Sequence, residues 1–252
     1  MLINSVDRAL DVLILLHEEG RDMGVSEIAE KLDIYKSTVF RTLFTLEQKG
    51  FVKQNPNTER YGLGLKLFSI GMGMKDKISL KKIIRPYAKA LQEEFSEVVN
   101  VSVLDLSHPK NPLSMIIEKE IGLGQMLIVN PPVGATSSCY GSSVGKCLLA
   151  YSDLDLNEFR GSELIQYTEN SIVDWDLLIE NIKQVKEDGY AVDNEELEIG
   201  LTCIGAPILN ADKIAVAAIS LSGPTQRMRD GDFSHKVQRV REVAAEASKE
   251  FC

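Results

Sequence analysis

The chain has 252 residues, 44% of them hydrophobic and 26% charged, enough apolar mass to bury a sizeable core, which excludes disorder and leaves room for one large domain or two ordinary ones. Its 28 Lys and Arg against 37 Asp and Glu give a net charge of −9, which at first sight argues against a polyanionic partner. The apolar run 214–221 is far shorter than the ~20 residues of a membrane span. The start of the chain has no basic segment followed by an apolar stretch, and four cysteines without paired spacing make no disulfide framework, so the expectation is a cytoplasmic protein with reduced thiols and no membrane partner.

The average charge hides two unlike parts. Residues 1–85 carry 14 basic and 11 acidic side chains, residues 86–252 carry 14 and 26, which points to two domains. Within the first, residues 31–66 hold Lys31, Lys36, Arg41, Lys49, Lys53, Arg60 and Lys66 against three acids. Such a run ordinarily solvates a face; its meaning depends on the elements that carry it.

From Ser5 to Glu19 apolar residues at Val6, Leu10, Leu13 and Leu16 recur at helical spacing, and Gly20 follows as a C-cap. Ser26 is placed to cap a short second helix through Ile28, Ala29 and Leu32, with Glu27 and Glu30 near its positive end. A third helix is expected from Lys36 to Lys49, ending at Gly50, with Val39, Leu43 and Leu46 buried. Phe51–Gln54, an Asn-Pro turn and Glu59–Leu63 read as a β-hairpin.

This is the order of a winged helix-turn-helix, whose third helix enters the DNA major groove. Short hydroxyls at Ser37, Thr38 and Thr42 allow close approach, with Thr45 on the same side, and Arg41 can form a bidentate contact to guanine. Lys36, Lys53 and Arg60 would hold phosphates. With Ser26 at the second helix, these nine residues are the expected DNA-binding set. A small three-helix core with an ordinary basic surface is the bland alternative.

Downstream, the apolar, glycine-containing stretch from Leu65 to Met74 and the basic run from Lys77 to Gln92 suit two short helices around a hinge, although a core helix of one domain fits the apolar residues as well. Pro86 suits a helix start or a kink. Strands are expected at 98–106, 113–119, 125–129, 190–192, 201–208 and 214–222, and helices at 142–151, 175–188 and 232–251, which together make an α+β sheet domain. Ser142, Ser143 and Val144 at a helix N-terminus could offer free amides to a carboxylate, with Gly141 and Gly145 letting the ligand approach.

Several blocks together resemble the IclR family of bacterial transcriptional regulators. In the first part they are Ser5-Val6-Asp7-Arg8-Ala9-Leu10, Ser26-Glu27-Ile28-Ala29, Lys36-Ser37-Thr38-Val39-Phe40-Arg41 and Leu46-Glu47-Gln48-Lys49-Gly50-Phe51. In the second they are Val144-Gly145-Lys146-Cys147-Leu148-Leu149-Ala150, Gly189-Tyr190-Ala191-Val192-Asp193-Asn194-Glu195-Glu196, Gly200-Leu201-Thr202-Cys203-Ile204-Gly205-Ala206-Pro207 and Ala218-Ile219-Ser220-Leu221-Ser222-Gly223-Pro224. The resemblance implies a winged helix-turn-helix domain over 1–66, a linker helix over 67–80 and a GAF-like effector-binding domain over 81–252. It also implies a homodimer or homotetramer on a palindromic double-stranded DNA operator, and control of a catabolic operon by a small carboxylate or aromatic acid.

The resemblance places Ser143 and Val144 where backbone amides meet the effector's carboxylate, and Asp193, Cys203, Ser220 and Ser222 on side-chain effector positions. Read without it, Cys203 is a small buried hydrophobe and the two serines share one strand face. Family members often have Ala-Ser-Gly-Lys where this chain has Ser143-Val144-Gly145-Lys146, so no relative's ligand carries over directly.

Other classes fit less well. His17, His108 and His235 have no local signature joining them to a cysteine nucleophile, and the four cysteines lack zinc-ligand spacing, so no catalysis, metal or cofactor is expected. Gly122-x-Gly124 lacks the rest of a dinucleotide motif. A protein-interaction module remains the rival to a DNA-binding regulator.

Overall fold

The computed structural model describes residues 3–75, 80–108, 110–122 and 131–252. By its internal contacts the chain divides into two compact units, Met1–Ser79 and Leu80–Cys252.

The first unit runs α1 (Asn4–Glu19), α2 (Val25–Lys31), α3 (Lys36–Gln48), β1 (Val52–Gln54), β2 (Tyr61–Leu63) and α4 (Leu65–Lys75). Its core joins Val12 and Leu16 of α1, Ile28 of α2, Val39, Leu43 and Leu46 of α3, and Val52 and Tyr61 of the hairpin. Each large apolar side chain taken fully out of water contributes about 1.5–3 kcal/mol. Met23 pairs with Tyr61 through both main-chain hydrogen bonds, at 2.9 and 2.8 Å, so the segment before α2 extends the wing sheet. This is a winged helix-turn-helix.

Two local expectations change. Ser26 does not cap α2: the chain is extended at Gly24, the helix starts at Val25, and the Glu27 carboxylate accepts the Gly24 N–H at 2.9 Å. Ser26 therefore lies inside the first turn, exposed. In α1 it is Val12 and Leu16 that are buried, while Val6 and Leu10 stand 52% and 53% exposed, because this helix carries two apolar stripes and only one meets the core.

The second unit contains a six-stranded sheet in the order β5-β4-β3-β8-β7-β6, with all neighbouring strands antiparallel. The strands are β3 (Val98–Asp105), β4 (Leu113–Glu120), β5 (Thr136–Ser138), β6 (Ala191–Asn194), β7 (Leu201–Leu209) and β8 (Ala215–Pro224). The helices are α5 (Leu80–Phe95), α6 (Ser143–Ala150), α7 (Trp175–Asp188), α8 (Thr225–Met228) and α9 (Phe233–Ser248). Pro86 falls inside α5. Part of the expected hinge and the strand expected over 125–129 lie outside the described residues.

Strand alternation assigns the faces. Val99, Val101, Ile204, Ile208, Ile219 and Leu221 pack against Ile84 and Leu91 of α5 and Val240 and Val243 of α9. On the other face Ala191 and Ala218 meet Cys147 and Leu148 of α6, with Leu178 and Ile182 of α7 behind them. The polar residues that alternate with the first set, Asn100, Ser102, Cys203, Ser220 and Ser222, are thereby turned to the α6 side.

Candidate ligand cavity and nucleic-acid face

In the first unit, burial of Val39, Leu43 and Leu46 turns Lys36, Ser37, Arg41 and Thr45 outward, with Thr38 and Thr42 half-buried. Thr38, Arg41, Thr42 and Thr45 line one groove between α3 and the start of α1, to which Ser5 and Arg8 also contribute. Arg8 is a cation that the sequence pattern did not bring to this face. Thr45 donates its hydroxyl to the Arg41 carbonyl at 2.9 Å. Lys53 is exposed on the hairpin. The Arg60 guanidinium already pairs with Glu27 at 3.0 Å and donates to the Asp22 carbonyl at 3.2 Å, so it fastens the wing to α2, and only an exposed ion pair of small worth would be exchanged for a phosphate. Phe40 and Phe44 are half exposed along α3.

In the second unit, Ser143, Val144, Asp193, Cys203, Ser220 and Ser222 all line one cavity of about 210 Å³. Two rows of the sheet build its floor: Asp193, Cys203 and Ser222 are register partners across β6, β7 and β8, and Gly205, Ser220 and Asn100 are partners across β7, β8 and β3. The N-terminus of α6 forms the opposite wall. Ser142 caps this helix, its Oγ accepting the Gly145 N–H at 3.1 Å while its carbonyl accepts the Lys146 N–H at 2.9 Å. The Ser143 and Val144 amides have no acceptor among the described residues, which leaves two donors at the positive end of the helix.

Glycines serve packing here. A Cβ at Gly205 would lie 2.8 Å from the Ser143 carbonyl carbon, so α6 can rest on β7 only because this residue is glycine. A Cβ at Gly145 would lie 2.3 Å from the Cys139 Cα; this glycine admits a neighbouring backbone, not the ligand expected from sequence. Gly141 faces the Leu197 side chain, itself part of the cavity wall.

Asp193 is 1% exposed and accepts the Glu196 N–H at 2.8 Å through Oδ1, with the Cys203 thiol beside it on the neighbouring strand. Burial pushes its carboxyl up to about 7, against the pull of that main-chain bond. Behind it, Lys146 of α6, 1% exposed, holds both carboxylate oxygens of Glu196 at 2.5 and 2.7 Å. Burial raises the Glu196 carboxyl and Lys146 opposes the rise. Thr168 and Ser171 donate to the Glu195 and Glu196 carbonyls, fixing the loop after β6 that brings Leu197 and Glu198 to the cavity. The Cys139, Cys147 and Cys203 thiols are all raised by burial, so they are thiols rather than thiolate nucleophiles. Among the described residues no three His, Cys, Asp or Glu side chains gather as metal ligands, and no helix is long and apolar enough to cross a membrane.

A groove-facing basic helix in one unit and a lined cavity in the other match a known arrangement. The model of the IclR helix-turn-helix domain matches residues 5–56, and that of the bacterial transcriptional regulator IclR C-terminal domain matches residues 72–249. The chain belongs to the IclR family of bacterial transcriptional regulators. It is 34% identical to the HTH-type transcriptional regulator BhcR of Paracoccus denitrificans over 98% of this chain and 86% of that protein. An IclR transcriptional regulator from Alicyclobacillus acidocaldarius superposes with a TM-score of 0.81 at 27% identity, covering 99% of each chain. An IclR homologue from Microbacterium hydrocarbonoxydans, solved in complex with 4-hydroxybenzoate, shares the fold with a TM-score of 0.82 at 18% identity over 98% of each chain. The winged helix-turn-helix and the α+β domain expected from sequence are those of this family, whose members regulate transcription rather than catalyse reactions.

Proposed function

We propose that this IclR-type regulator is a homodimer or homotetramer that binds a palindromic operator, senses a small carboxylate or aromatic acid and thereby controls a catabolic operon, working beside the chromosome in the cytoplasm without a cofactor. Residues 1–66 read the operator through the nine residues of the expected DNA-binding set, joined by Arg8; residues 67–80 link; residues 81–252 bind the effector. The observation that carries the effector reading is the cavity itself: two amides at the N-terminus of α6, without an acceptor among the described residues, line one small space with Asp193, Cys203, Ser220 and Ser222. Amides at a helix start stabilise an anion, and the protonated form of Asp193, which burial favours, adds a donor where its carboxylate would repel one. The Microbacterium homologue's 4-hydroxybenzoate supports an organic acid as the class of ligand.

Regulation follows if the acid binds the DNA-competent and DNA-incompetent states with different affinity. Two α3 helices would enter successive major grooves about 34 Å apart. The test is to capture fragments of the source genome on the purified protein at ~150 mM salt, where non-specific binding is weak, and to sequence what is retained. One or a few palindromes should be enriched, and Arg41→Ala should weaken binding by roughly 1–3 kcal/mol with relaxed preference at one base pair. No enrichment, with or without metabolite extract, would overturn the reading in favour of a protein-interaction module.

A further inference from the structure

We propose that the cavity's ligand is a short hydroxylated carboxylate of three or four carbons, and that Asn100 and Ser102 of β3 select it over aromatic and unsubstituted acids. The inference rests on the effector reading above and narrows it. Asn100 and Ser102 line the cavity, are 7% and 1% exposed, and their Oδ1 and Oγ atoms have no hydrogen-bond partner among the described residues.

Three other serines that line the cavity do have partners: Ser137 Oγ lies 3.0 Å from Ser114 Oγ, and Ser220 Oγ lies 3.3 Å from Ser222 Oγ. Buried polar groups in folded proteins are almost always paired, so two adjacent unpaired ones on a cavity wall mark what the occupant brings. An amide and a hydroxyl each give and take a hydrogen bond. Ligand hydroxyls match both, whereas a methyl or ring C–H matches neither. Among the described residues no Lys or Arg lines the cavity, and Lys119, the register partner of Asn100, donates its ammonium to the Pro131 carbonyl. The groups that line the far end are thus uncharged and match ligand hydroxyls.

Length follows from the sheet. Ser143 rests on Gly205, and Asn100 lies two strands away across Ser220, about 10 Å at ordinary strand spacing. Two hydrogen bonds of about 2.9 Å take up more than half of that, which leaves room for a chain of three or four carbons.

The test is titration calorimetry of the full chain with D-glycerate, L-threonate, propionate, benzoate, 4-hydroxybenzoate and glycerol. D-glycerate or L-threonate should bind at least ten-fold tighter than propionate and both aromatic acids. Ser102→Ala and Asn100→Leu should each erase most of that preference, the hydroxylated acids losing more affinity than propionate does, and circular dichroism should show both variants folded. Propionate or an aromatic acid binding as tightly as the hydroxylated acids would overturn the proposal and leave the acid cavity standing. So would variants that weaken every acid equally. Glycerol binding as well as glycerate, or no acid binding at all, would overturn the effector reading and this proposal with it.

Discussion

Asp193 shows how one side chain couples the cavity to solution conditions. Its carboxyl sits at about 7 in the folded protein because burial disfavours the charge, against about 3.9 in an unfolded chain. Between those values the folded state holds a proton that the unfolded state has lost, so this residue's contribution to stability falls as pH rises and levels off above about 7. The ionisable groups around it are Glu196, Lys146 and the Cys203 thiol, with Glu198 on the cavity wall. Asp193→Asn keeps the shape and removes the titration. Urea unfolding at pH 5, 6, 7 and 8 should show the variant gaining on the parent protein through this window, by a few kcal/mol in all. A difference that stays flat with pH would mean that Asp193 titrates as an ordinary carboxylate.

Helix α6 is the element on which the cavity depends, and it is held from two sides. Gly205 lets its first turn lie on β7, and Lys146 pins its middle to Glu196 in the loop after β6. Removing one member of a buried pair strands the other's charge, a cost of about 3–5 kcal/mol, whereas replacing both by apolar groups is often neutral. Lys146→Met should therefore lower the urea midpoint sharply at neutral pH, and adding Glu196→Leu should restore much of it. If the double variant is no more stable than the single one, the ion pair is not what fixes the loop. Much of this region was legible in the sequence, and the reasons differ by element. Helix α7 could be placed at 175–188 from its apolar period, and the structure closes it with Asp174 as N-cap and Gly189 as C-cap. The start of α6 was legible as a helix N-terminus with free amides at Ser143 and Val144, whereas the small polar residues of β8 were recognised through the family's motifs, not from local spacing. Strand β5, three residues of Thr and Ser, has no apolar period to betray it. Lys146 and Glu196 are fifty residues apart, and nothing local ties a lysine in an apolar helix to one acid among many. Asn100 and Ser102 sit in a strand whose alternation was visible, but which face would be wet depends on where α6 packs.

At the scale of the molecule, the unanswered feature is the second apolar stripe of α1. Ile3, Val6, Leu10 and Ile14, spaced three or four apart, are each at least 52% exposed, while the core is complete without them. Leu65, Phe68 and Ile70 of α4 are exposed as well. Such a stripe is seldom left in water, and contiguous exposed apolar surface marks association. On the proposed reading of a palindrome, two α3 helices must be held at a fixed separation, which a helix-on-helix contact between copies would provide through the unit that carries α3. Ile14→Glu tests this, because Ile14 is exposed outside the core and, unlike Val6 and Leu10, does not line the groove that holds Arg8 and Arg41, so a surface change there should alter folding stability by no more than about 0.5 kcal/mol. Sedimentation equilibrium of residues 1–252 should show weaker self-association, and binding to a full palindrome should fall much more than binding to a single half-site. A half-site bears on one α3 only, so a variant that loses affinity equally for both would place Ile14 in DNA contact or folding instead. A variant that loses neither would leave the stripe without a role in assembly on DNA.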